Sequence, residues 1–167
     1  MVFFVLLAGC TPDPAELGVS LVEPATANAQ YFHGNCFAGF SVGVGLRIRE
    51  TRGIEVVISR LAYRVRDRGT GQVLADESLD GRSLEERYGG SARVVRAGET
   101  KTFPLAAISS ERPEGPLAVQ GEIEGMDENE QRVFAAFDLP AELTVNDPGP
   151  PAGGACSGPS GSPFGPH

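Results

Sequence analysis

From Phe40 to Arg49 the chain alternates without a break: Val42, Val44, Leu46 and Ile48 fall on one parity, and Ser41, Gly43, Gly45, Arg47 and Arg49 on the other. A two-residue period puts every branched side chain of this segment on one face of a strand and leaves the opposite face to solvent. The segment therefore needs a second apolar layer to cover it, and the sequence supplies several. After a turn at Thr51-Arg52-Gly53, Leu61, Tyr63 and Val65 alternate with Arg60, Ala62, Arg64 and Arg66. The preceding Val56-Val57-Ile58 is continuous instead, which predicts a bulge near Ser59 where the parity changes. Further on, Leu117, Val119 and Ile123 can meet Val133, Ala135, Phe137 and Leu139 across an acidic turn at Asp127-Glu128-Asn129-Glu130.

Weaker signals fill the gaps. Glu16 to Glu23 reads as a first strand ended by Pro24, and Gln72 to Ser78 as a strand entered from the turn Asp67 to Gly71. ARVVRAGETKTFPL reads as a strand pair turning about Ala97-Gly98-Glu99. In DGRSLEERYGG, Ser83 and Glu86 have the capping-box spacing for one helical turn, which Gly89-Gly90 would stop. The expectation is an all-β chain: a single antiparallel β-sandwich of seven or eight strands over residues 16–145. Twenty-two glycines and thirteen prolines suit such a turn-rich fold. The order of strands resembles immunoglobulin-like or fibronectin-type domains, without the tryptophan of antibody domains. That resemblance implies a last strand running parallel to the first, and by itself it implies no function. Residues 146–167, with Pro and Gly dominating, are expected to form a disordered tail.

The chain starts MVFFVLLAGCTPDP. Val2 to Ala8 is apolar but reaches only about a third of the roughly twenty residues that a membrane helix needs; its length matches the core of a secretory signal. Leu7-Ala8-Gly9-Cys10 resembles the lipobox of bacterial lipoproteins. The resemblance implies a signal at residues 1–9, lipid on Cys10 and a tether at residues 10–15. It also implies a lipid-anchored place in the cell envelope, at the outer membrane of a two-membrane host because Thr11 rather than Asp follows the cysteine. The signal lacks its usual basic start, as a start site assigned too late would explain. Extended, Thr11 to Ala15 reaches about 17 Å, which would keep the domain near its membrane.

A formal charge of -8 argues against nucleic acid as a partner. Arg47, Arg49, Arg52, Arg60, Arg64, Arg66 and Arg68 nevertheless crowd one stretch whose acids are Glu50, Glu55 and Asp67. Arg60, Arg64 and Arg66 are thus a candidate face for an acidic protein partner in the envelope. The competing reading pairs these arginines with Glu122, Glu124 and Asp138 on neighbouring strands. With Cys10 set aside for lipid, Cys36 and Cys156 either form a disulfide or leave a free thiol in the tail. His33 and Cys36 are too few for a tetrahedral metal site, and the acidic turn at Asp127 lacks the spacing of a hand-type calcium loop. No cofactor is expected. The sequence reads as a non-catalytic binding or structural module. The alternatives are an exported hydrolase relying on His33, or an inhibitor of a secreted enzyme presenting a loop such as Ser109 to Gly115.

Overall fold

The computed structural model describes residues 13–31 and 38–149. Nine strands and one helix follow in order: β1 (Leu17–Tyr31), β2 (Ala38–Glu50), β3 (Val56–Asp67), β4 (Val73–Asp80), α1 (Gly81–Tyr88), β5 (Val94–Val95), β6 (Thr100–Ser109), β7 (Leu117–Asp127), β8 (Arg132–Ala141) and β9 (Leu143–Asn146). They form two facing sheets, one in the order β6-β2-β1-β9 and the other β4-β3-β7-β8, with β5 also paired to β3. The fold is the all-β sandwich that the alternation demanded, with nine strands because β5 and β9 are too short to carry a pattern of their own.

The alternating segment becomes β2, and its Val42, Val44, Leu46 and Ile48 are buried. They face Ile58, Leu61, Tyr63 and Val65 of β3 and Val119 and Ile123 of β7 within one continuous core. The expected parity change is present: the β3–β7 register shifts between Ile58 and Arg60, leaving Ser59 as the extra residue. β9 runs parallel to β1, pairing Ala25 with Leu143 through Asn28 with Asn146. β8 pairs with β7 as the hairpin read from the sequence.

Three local expectations are corrected. Pro24 does not end β1; the strand continues through a register shift between Val22 and Thr26, and an irregularity of that kind accommodates a residue without an N–H. The segments on either side of Ala97-Gly98-Glu99 do not pair with each other. β5 joins β3, while β6 joins β2 in the opposite sheet, so this turn carries the chain across the sandwich. Finally, α1 is capped by Asp80, whose carboxylate accepts from the Ser83 N–H at 2.8 Å, so Ser83 is the donor and not the cap. Gly89, at φ 101, ends the helix in a conformation that disfavours side chains. Leu84 carries α1 into the core.

Candidate functional site

The outward face of the five-stranded sheet is built in cross-strand rows. From one end to the other they read Val94–Val57–Met126–Arg132, Asp80–Arg60–Glu124–Phe134, Ser78–Ala62–Glu122–Ala136, Asp76–Arg64–Gln120–Asp138 and Val73–Arg66–Ala118–Pro140. This is where Arg60, Arg64 and Arg66 stand, on one strand and one face. Arg47 and Arg49 belong to the other sheet, so the seven arginines of the basic stretch do not share a surface.

Two of the three candidate arginines are already engaged. The Arg60 guanidinium donates to Glu122 and Glu124, each at 2.7 Å, and to Ser78 at 3.0 Å. The hydrogen bond to Glu124 raises its pKa, against a smaller opposing effect of desolvation, with help from Glu122. Arg64 Nε donates to Asp76 at 2.9 Å. Arg68 reaches Asp138 only at 3.9 Å. Arg66 has no ion pair among the described residues and is exposed. The pairing that the sequence offered as the alternative to a free basic face thus accounts for most of its charge. Because these pairs are solvent-exposed, screening by water leaves each a small contribution to stability.

Small residues in the middle rows leave a shallow, open hollow of ≈ 370 Å³. Arg64, Asp76, Gln120, Glu122 and Asp138 rim it over Ala62 and Gly121. Its floor is tight. A Cβ on Gly121 would lie 2.2 Å from the Ala62 carbonyl oxygen and 2.6 Å from the Phe137 ring, which packs over the glycine from the adjoining strand.

The buried carboxylates are committed to backbone. Glu50 accepts from the N–H groups of Arg52, Gly53 and Gly98 at 2.6, 2.8 and 2.8 Å. Asp67 accepts from Gly69, Thr70, Glu114 and Gly115 at 2.7, 3.1, 2.6 and 3.3 Å. Asp127 accepts from Ala15, Asn129 and Gln131 at 3.2, 2.9 and 2.9 Å. At each, burial pushes the pKa up, but the converging N–H donors outweigh it and hold the group below its ordinary value. The acidic turn at Asp127-Glu128-Asn129-Glu130 is therefore folded around the carboxylate of its own first residue. No group of three His, Cys, Asp or Glu able to hold a metal ion occurs among the described residues.

At the helix side of the sandwich, Tyr63 is buried with its hydroxyl lacking a hydrogen-bond partner among the described residues. Burial, with the nearby Glu77 carboxylate, pushes its pKa well above the usual phenol value. Glu77 is itself paired with Arg87, and Tyr88 stacks edge-on to Phe103 with ring centroids 5.3 Å apart.

The sandwich has distinct ends. The turn after β2, the Gly98 turn and the β7–β8 hairpin lie at one end, where Asp13 to Glu16 enter the fold; Asp67, Ser109 and Asn146 lie at the other. β1 ends and β2 begins at that second end, where Tyr31 pairs with Ala38, and the Asn146 side chain donates to Asn28 at 3.0 Å. Cys10, Cys36, Cys156 and His33 fall outside the described residues. What sequence reading missed is an apolar corner near the first end: Phe134 is 63 % exposed and Met126 47 % exposed. The signal was available, since assigning Val133, Ala135 and Phe137 inward sends Phe134 outward.

No family model matches the chain, and no curated protein matches it. Among solved structures it is similar to a Bordetella pertussis protein provisionally named ApaA, at 18% identity and a TM-score of 0.51 over 78% of this chain and 95% of that one. It is also similar to structural-genomics target SoR45, at 9% identity and a TM-score of 0.48 over 77% and 84%. At such identities the likeness concerns the fold alone. Among the described residues no helix is long and apolar enough to cross a membrane.

Proposed function

We propose that this protein is a lipid-anchored module of the bacterial cell envelope that binds a partner and carries out no chemistry of its own. The observation that carries the reading is Leu7-Ala8-Gly9-Cys10 followed almost at once by folded chain: Ala15, five residues after Cys10, is buried and bonded to Asp127. A cysteine so placed holds the sandwich against its membrane with no long linker between. In a host with two membranes, Thr11 assigns it to the outer one.

The non-catalytic half of the reading draws on the carboxylates. Glu50, Asp67 and Asp127 are saturated by backbone donors, and those on the sheet face pair largely with arginine, which suits scaffold roles better than proton transfer. The partner surface on this reading is the outward face of the five-stranded sheet, with Arg66 and the hollow beside Arg64 available to a protein of the envelope.

The test is membrane fractionation of Cys10→Ser in the native host. Release of the variant into the soluble fraction, with the wild type retained, is expected; retention of the variant overturns the anchor. Cross-linking in intact envelopes should then yield one dominant protein partner, lost on Arg66→Glu. Thiol alkylation with and without reductant distinguishes a Cys36–Cys156 bridge from free thiols.

A further inference from the structure

We infer that the apolar corner of Val57, Met126 and Phe134 rests on the lipid surface that holds Cys10, so that the domain meets its membrane at the chain-entry end of the five-stranded sheet and the rows of Arg64 and Arg66 stand away from it. The inference depends on the lipid-anchor reading above and says which surface the anchor brings down.

The corner is continuous. Met126 shares a cross-strand row with Val57 and Val94, and Phe134, opposite Glu124, stands one row further along the adjoining strand, within reach of Met126 on the diagonal. Met126 and Phe134 are two of the four large hydrophobic side chains exposed among the described residues; the others, Val73 and Ile108, lie toward the far end.

The chain enters the fold at the same place. Asp127, next to Met126, accepts the Ala15 N–H at 3.2 Å, and Arg52 lies 3.5 Å from Asp13 and 3.1 Å from Glu16. Cys10 is three residues before Asp13, so its lipid begins within about 11 Å of Asp13 even if the chain is fully extended. A patch this small would hold a free domain weakly. Anchoring makes its contact with lipid intramolecular and raises its effective concentration at the surface.

Charge selects the kind of surface. Glu124 is taken up by Arg60 and Asp127 by backbone N–H groups, but Glu128 follows Met126 by two residues and donates its N–H to the Glu55 carbonyl at 3.1 Å, and Glu130 donates its N–H to the Asp127 carbonyl in the same hairpin, with Arg132 opposite Met126. An apolar centre inside an acidic rim fits zwitterionic headgroups and is repelled by anionic ones.

The chain has no tryptophan, so Phe134→Trp and, separately, Ile108→Trp each place one reporter in the lipidated full-length protein. Both are reconstituted in phosphatidylcholine vesicles, with and without brominated acyl chains. The expected result is blue-shifted emission and strong bromine quenching for Phe134→Trp, with neither for Ile108→Trp, and a smaller shift when phosphatidylglycerol is added. If both variants float with vesicles yet fluoresce alike, the anchor stands and the docking is wrong, leaving the corner to a protein. If neither floats, the anchor itself fails and the docking falls with it. A larger shift with phosphatidylglycerol overturns the preference for a neutral surface.

Discussion

The carboxylate of Asp67, at the end of β3, accepts the backbone N–H of Glu114 at 2.6 Å across 47 residues of sequence. The same side chain closes its own turn through Gly69 and Thr70, so one residue ties the β3–β4 turn to the segment leading into β7. Replacing Asp67 by Ala removes the acceptor shared by these part-buried N–H groups, a loss of about 1–3 kcal/mol in all because water can reach some of the donors. Urea unfolding of Asp67→Ala should show a lower midpoint at unchanged slope, whereas Asp13→Ala, in an exposed pair with Arg52, should hardly move it.

Acid should unfold the domain through the same groups. Glu50 and Asp67 are held below their ordinary values of 4.5 and 3.8, so their stabilisation is complete above those values and is lost as pH falls through the lower values of the folded state. Thermal midpoints should be level from neutrality down to about pH 5 and drop below about pH 4. Glu50→Gln should flatten that drop while lowering the plateau.

Tyr63 predicts the opposite limb. Its raised pKa means that the unfolded state ionises first as pH passes the ordinary value of 10.0, and stability is lost from there upward. The buried hydroxyl faces the Glu77 carboxylate, which helps to raise its pKa, but makes no hydrogen bond of ordinary geometry to a described residue, so Tyr63→Phe should change stability at neutral pH by no more than about 1 kcal/mol and should blunt the alkaline loss. A clear fall in its denaturation midpoint at pH 7 would contradict this.

Gly121→Ala should be among the worst single-methyl additions. The new Cβ meets the Ala62 carbonyl at 2.2 Å and the Phe137 ring at 2.6 Å, and overpacking of this kind costs about 1–3 kcal/mol or more where backbone must move. Gly90→Ala, with nothing within 4 Å, is the matched control and should be silent in the same melting experiment.

The long alternating strands were legible because β2 and β7 bury one face and wet the other, and the bulge at Ser59 because Val56-Val57-Ile58 breaks parity before Leu61. Pairing was legible only where a tight turn enforces it, as at Asp127. Between Val95 and Thr100 the turn crosses from one sheet to the other, and the side-chain pattern on either side is the same whether the two segments pair or part. The Arg60 ion pairs could be foreseen as a choice between two readings, since register alone decides which carboxylate stands opposite. The clustering of Met126, Phe134 and Val57 depends on that register too, and so did not emerge from one strand at a time.

The parallel pairing of β1 with β9 has a mechanical side. Asp13 enters at one end of the sandwich and Asn146 leaves toward the other, so a pull between an anchored start and a captured far end acts along both strands in opposite directions. The rungs from Ala25–Leu143 to Asn28–Asn146 are then sheared together rather than peeled one by one. On the lipid-anchor reading proposed above, tension between membrane and partner is shared by the whole ladder at once.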